Sequence, residues 1–281
     1  MAIYINSNKE VKKICVNINC EKKNITSAWV NRDGVPAKVF GQLENGNPDE
    51  IAPTDAISYW TYTLNNDNNT IMLRTYSVNS PETNVIIYAN YIIKGNIYKT
   101  QIAPNMNVGY LFKDCKNIKS ITFSNNIDTS NVTQTNSIFK GCSSLINLNL
   151  GSLDMCNVTN AYAMFKDCSS LTSLDLSGLN TSNLTYANSM FKGCNSLINL
   201  DLKGIDTSNI YDMAEMFSGC SSLTSLDLSS FNTIKVKNMR NMFVNDQKLT
   251  TIYVSNSIWT TANADITNMF YNCGTSSVTY K

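Results

Sequence analysis

Asp175, Asp201 and Asp227 recur at intervals of 26 residues, each between two leucines in the order Leu-Asp-Leu. If that triplet is a short strand with both leucines facing a core, the residue between them points outward. Stacked at the roughly 5 Å spacing of strands, three carboxylates repel one another unless cations or hydroxyls compensate. Such a row can bind Ca²⁺, an amine or sugar hydroxyls, and nearby Ser173, Ser177, Ser225, Ser229 and Lys203 can equally satisfy it. Glycoside hydrolysis also uses two acids, about 5 to 10 Å apart, but it needs them in unlike environments that separate their pKa values. Equivalent positions of a repeat do not supply that, so the expectation is a binding row and no enzyme. Extended to the neighbouring units and flanks, the candidate ligand surface is Asn149, Asp175, Asp201, Lys203, Asp227 and Tyr253, with no catalytic residue, no resident metal and no cofactor.

Composition narrows the chemistry further. The 281 residues contain no His, which removes imidazole acid–base catalysis, Ser-His triads and His-ligated metals. Lys and Arg number 22 against 21 Asp and Glu, and charged residues are only 15% of the chain. That balance carries no footprint for nucleic acid or an anionic membrane, and about 40 Asn, with Ser and Thr, supply the surface polarity instead. Met1 to Lys13 alternates and is polar, so no Sec export signal is expected, and no window approaches a membrane span.

The elements that position these residues follow from a repeat. Phe112, Phe139, Phe165, Phe191, Phe217, Phe243 and Phe270 stand 26 or 27 residues apart, and all but Phe243 are followed three residues later by Cys: Cys115, Cys142, Cys168, Cys194, Cys220 and Cys273. At the sixth unit Asp246 takes that place. Each unit carries Leu-x-x-Leu-x-Leu, as in Leu171, Leu174 and Leu176, and the period of two at its end predicts a strand. After a Thr/Ser/Asn turn, Leu184, Ala187, Phe191 and Cys194 follow at offsets of three, four and three, which predicts a helix capped by Asn183 and ended by Gly193. The expected fold is an α/β solenoid, a curved leucine-rich repeat array of strand, turn and helix, with strands on the concave side because helices need about 8 to 10 Å where strands need about 5. The same wide helix spacing argues against disulfides between successive cysteines, leaving them as buried thiols. Tyr162, Tyr186 and Tyr211 fall on the helical stretch and read as convex or lateral surface, where Tyr serves binding but is also ordinary surface cover.

These units, FKDCSSLTSLDLSGLNTSN from Phe165 and FSGCSSLTSLDLSSFNT from Phe217, resemble the BspA-like leucine-rich repeat surface proteins over about residues 105–281. The resemblance implies an adhesive or recognition surface. Met155-Cys156, Ile234-Lys235 and the sixth unit depart from the pattern. Ahead of the array, residues 1–40 hold a shorter repeat in which NINCEKKNI at 17–25 lies over NRDGVPAKV at 31–39, with a shortened copy at 6–14. Each copy reads as a hairpin, and the stretch resembles hairpins at the N-termini of some phage tail and receptor-binding proteins of Gram-positive bacteria. Residues 41–57 read as a linker, and residues 58–104 as a small β region capping the array, with strands at Tyr59–Leu64, Thr70–Ser77, Val85–Tyr91 and Ile97–Ile102.

Two functions fit. One is a receptor-binding or tail-fibre subunit of a phage or phage-tail-like particle, located in the virion, joined to a particle or baseplate subunit through residues 1–57 and reading a host cell-surface glycan or protein. The alternative is a bacterial cell-surface adhesin. Homo-oligomerisation is compatible with either; nucleic acid and membrane insertion are not expected. The missing export signal favours the first.

Overall fold

The computed structural model describes residues 52, 55–94, 96–102, 110–124, 127, 129–150, 153–176 and 179–281, with the backbone of 14–18 and 21–25. Strands β1 (Ile14–Ile18) and β2 (Glu21–Ile25) form an antiparallel hairpin, as expected for the middle copy of the short repeat. The other two copies and most of the 41–57 segment lie outside the described residues.

Strands β3 (Trp60–Asn65), β4 (Thr70–Tyr76), β6 (Asn90–Ile93) and β7 (Asn96–Ile102) make one sheet in the order β3-β4-β7-β6. The run read as one strand over Val85–Tyr91 is broken at Tyr88-Ala89. Its first half, β5 (Asn84–Ile87), leaves this sheet and pairs in parallel with β8 (Ser120–Phe123), the first strand of the array. The remaining strands, one per unit, are β9 (Asn147–Asn149), β10 (Ser173–Asp175), β11 (Asn199–Asp201), β12 (Ser225–Leu228), β13 (Thr251–Val254) and β14 (Thr279–Tyr280). Their pairing is parallel, and its register carries each residue onto its repeat equivalent: Leu174 onto Leu200, Leu226 onto Ile252. The inward leucines are where the period of two placed them, Leu174, Leu176, Leu226 and Leu228 all being buried.

The expected helices are absent: among the described residues the array is a β-solenoid of about seven turns with no α-helix. Two residues per unit, four apart and flanking the Phe, take left-handed backbone: Ala163 and Asp167 (φ 54° and 61°), Ser189 and Gly193 (57° and 76°), Glu215 and Gly219 (56° and 78°). Such residues cannot sit inside a right-handed helix. The amides between them alternate in their commitments. Met164, Lys166 and Cys168 donate within the unit to Ala161, Ala163 and Phe165, three residues back, whereas Ala161, Ala163, Phe165 and Asp167 donate to Tyr186, Asn188, Met190 and Lys192 of the next unit. Single-residue parallel bridges run the length of this flank, Gln134 to Asn160 to Tyr186 to Asp212 to Asn238 to Asp265. Tight turns with three-residue closure return apolar side chains to one side almost as a helix does. For that reason Leu184, Ala187, Phe191 and Cys194 are all buried although the segment is not helical.

The pitch follows the backbone. Successive Phe rings stack nearly parallel, with centroids 5.5 to 5.8 Å apart from Phe112 to Phe270. Both flanks therefore advance by about one strand spacing per turn, and the premise that wide helices force curvature does not hold. The stack is closed at its first ring by the cap sheet: Trp60 and Tyr76 lie 5.4 and 5.7 Å from Phe112, centroid to centroid, and the Tyr76 amide donates to the Leu111 carbonyl.

Candidate functional site

The residues of the proposed ligand row are all outward-facing, but they fall into separate groups. Asp175 and Asp201 are direct register partners on β10 and β11; Asp227 is paired with Tyr253 on β12 and β13; Asn149 is paired with Thr122 on β9 and β8. No ladder joins β9 to β10 or β11 to β12 among the described residues, so the row is interrupted twice. Asp175, Asp201, Lys203, Asp227, Tyr253 and Asn149 are exposed.

Two of these carboxylates already serve the fold. The Lys203 backbone N–H donates to Asp201 Oδ1 at 3.0 Å and the Ser229 N–H to Asp227 Oδ1 at 3.0 Å, each closing the turn after its strand. Lys281, 54 positions away in the chain, brings Nζ to 2.7 Å from Asp227 Oδ2 and 4.9 Å from the centre of the Tyr253 ring. Partial burial alone would raise the Asp227 carboxyl, but hydrogen bonds from Lys281 and Ser229 and the Lys281 charge hold it down at about 2. Sequence reasoning missed Lys281 because no local spacing ties it to Asp227; it reaches the row only through the pairing of β14 with β13. Among the described residues no three His, Cys, Asp or Glu side chains gather closely enough to hold a metal ion, and the acids stand in a line along the solenoid.

Behind this surface lies the ring-and-thiol ladder. Cys142, Cys168, Cys194 and Cys220 are buried and free. Each thiol donates to a carbonyl of the unit before, at 3.0 to 3.2 Å: Cys142 to Phe112, Cys168 to Phe139, Cys194 to Phe165 and Cys220 to Phe191. Burial pushes the Cys194 thiol up to about 12 and the others upward likewise, so these are unreactive packing groups. The expectation of free thiols stands, but the spacing argument for it does not, since the units are closer than helices would be. The carbonyl contact is what engages each sulfur.

Asp246 occupies the same place in the sixth unit. It is fully buried, and neither carboxyl oxygen has a hydrogen-bond partner. The Cys220 and Gly219 amides face this carboxyl and pull it downward, but they donate to the Phe217 and Val244 carbonyls. Burial pushes this carboxyl up to about 7.

The Asn-Thr-Ser-Asn corner is structural. Thr181, Thr207 and Thr233 are buried, and each hydroxyl accepts an amide from the next unit while donating to a carbonyl of that unit, as Thr207 does with the N–H and carbonyl of Asn232. Asn183, expected to cap a helix, instead donates its side-chain amide to the Cys156 carbonyl one unit back, and Asn209 does the same to Ser182. Gly193 does not end a helix; it holds φ +76° where a Cβ would collide with Asp167 Oδ1. Tyr162, Tyr186 and Tyr211 are exposed on the bridge flank.

Residues 106–210 and 197–279 match the sequence profile of a family described as Mycoplasma protein of unknown function, DUF285. No curated protein sequence matches. Among solved structures, the chain is similar to the T. pallidum leucine-rich repeat protein, at 17% identity over 70% of this chain and 69% of that one, with a TM-score of 0.34. A leucine-rich repeat protein from Bacteroides ovatus gives 18%, 79%, 70% and 0.39. A leucine rich cell surface protein from Faecalibacterium prausnitzii gives 14%, 80%, 93% and 0.27. The fold assignment rests on the strand registers and inter-unit hydrogen bonds of this chain.

Proposed function

From the premise that the chain belongs to the DUF285 family, which is described as of unknown function, we propose that it is a non-catalytic recognition module of a bacterial cell surface, adhesin-like, that binds a hydroxyl-rich ligand, a glycan, along its strand face. One observation supports this most: the parallel register places like residues side by side. Ser173 lies beside Asn199, Asp175 beside Asp201, Ser225 beside Thr251 and Asp227 beside Tyr253, all but Thr251 exposed. Repeated polar positions at one pitch suit a repeating ligand, and a Tyr ring beside carboxylates suits a sugar, whose faces are apolar and whose rim is hydroxyl. The Lys203 N–H engages one oxygen of Asp201, while at Asp227 the Ser229 N–H and Lys281 Nζ engage both, so a ligand at Asp227 competes with Lys281.

The similar solved structures are leucine-rich repeat proteins, one of them described as a cell surface protein, which supports the adhesin-like alternative over a tail-fibre role. The test is a combined Asp175→Ala, Asp201→Ala, Asp227→Ala variant, checked for unchanged melting and assayed on a glycan panel and on bacterial and host cells. A polar contact is worth about 1 kcal/mol, so the triple variant should bind at least tenfold more weakly than the parent. Full binding by the folded variant would move the site off the strand face.

A further inference from the structure

The cap sheet carries a cavity apart from the strand face. A cavity of about 280 Å³ opens beside the first turn, lined by Tyr59, Trp60, Tyr76 and Tyr88 together with the carboxylates Asp55 and Glu82. Its size lies just below the roughly 300 to 1,000 Å³ of drug-sized pockets, which limits the occupant to a small molecule or a single side chain. Asp55 and Glu82 are exposed, and neither carboxylate has an ion-pair partner among the described residues. The described lining contains no Lys or Arg.

The rings are fixed by one another, so the lining is formed in advance of any ligand. Trp60 meets Tyr76 edge-on at 4.9 Å, Tyr59 lies 6.2 Å from Tyr76, and the Tyr76 hydroxyl is hydrogen-bonded to Ser80 at 3.0 Å. Ser80 Oγ in turn accepts the Glu82 amide at 3.1 Å, which holds Glu82 at the rim. Tyr88 meets Tyr91 edge-on at 6.1 Å. Aromatic faces attract cations through the ring quadrupole, most strongly when several surround a weakly hydrated one. Unpaired carboxylates beside them add Coulomb attraction for the same sign and disfavour an anion.

We propose that this cap cavity is a binding site for a small alkylammonium group, of the quaternary or methylated-amine class. It is independent of the strand-face reading: the two sites share no residue. The test uses the whole chain labelled with 5-fluorotryptophan, in which the Trp60 resonance is followed by ¹⁹F NMR against choline and against its uncharged isostere 3,3-dimethylbutan-1-ol. Choline should shift Trp60 saturably while Trp259, on the sixth turn, stays still, and the isostere should bind at least tenfold more weakly. Asp55→Asn, Glu82→Gln, with both substitutions at exposed positions, should weaken choline about tenfold without changing the melting temperature. Equal affinity for choline and the isostere would overturn the proposal, as would the absence of a saturable Trp60 shift at 100 mM choline, taken as about the weakest useful affinity on the scale where 1 mM corresponds to −4.1 kcal/mol.

Discussion

The two flanks of the solenoid stack the same units at the same pitch by different means. On the strand flank, where the Leu-x-Leu signature sits, pairing is divided into separate sheets, β5-β8-β9, β10-β11 and β12-β13-β14. On the ring flank the bridge ladder runs without interruption from Gln134 to Asp265, and the Phe stack from Phe112 to Phe270. Leu148 and Leu200 on the strand flank are only partly buried, while the five rings from Phe139 to Phe243 are completely so. Continuity thus resides in the Phe-Cys flank, and the strand flank can vary those outward residues that do not close a turn as Asp201 and Asp227 do. A repeat can change its surface without loosening its stack because the two tasks are on opposite sides.

That contrast can be broken from either side. Phe191→Ala, which opens a hole in the middle of the ring stack, should cost about 3 to 5 kcal/mol, against about 1 to 2 for Leu200→Ala on the strand side. Urea denaturation of both variants measures the difference, and equal losses would mean that the flanks share the load.

The sixth unit sharpens the comparison within the ring flank. With its folded-state carboxyl at about 7 and an ordinary value near 4 when unfolded, Asp246 contributes stability that is fully present below about pH 4 and is lost as pH rises through 7. The flanking groups, Cys220 and Cys273, have thiols raised by burial and do not titrate in that window. The loss should be about 2 to 4 kcal/mol, visible as a falling melting temperature between pH 4 and 8. Asp246→Cys, which restores the thiol donor of the other units, should flatten that slope; an unchanged slope would assign it elsewhere.

Gly193→Ala should have a smaller effect, about 2 kcal/mol, from left-handed backbone and from contact with Asp167. In an Asp167→Gly background only the backbone part should remain. No difference between the two backgrounds would show that the carboxylate yields.

Much of this was legible in the sequence. The unit length, the inward leucines, the buried Phe and Cys and the outward row all follow from spacing, and the matched family segments at 106–279 span nearly the residues read as repeat. The helix was not legible as an error, because three-residue turns bury Leu184, Ala187, Phe191 and Cys194 at the offsets a helix would. The sign that decides it is backbone handedness at Ala163, Ser189 and Glu215, residue types that do not advertise φ > 0. Within the candidate site, the positions were legible and the grouping was not: sheet breaks and the Lys281 contact depend on how distant units seat on one another. The cap cavity was invisible for the same reason, since Tyr59, Tyr76 and Tyr88 come from separate segments.

Hydrogen exchange of backbone amides tests the central claim most directly, because it reports which flank opens last. The Phe139, Phe165, Phe191 and Phe217 amides, each bonded to the next unit at 2.9 to 3.0 Å, should be the slowest to exchange in the chain, slower than those of Leu174, Leu200 and Leu226 on the strands. Strand amides protected to the global limit, with the Phe amides exchanging orders of magnitude faster, would contradict it and return the continuity of the array to the leucine strands.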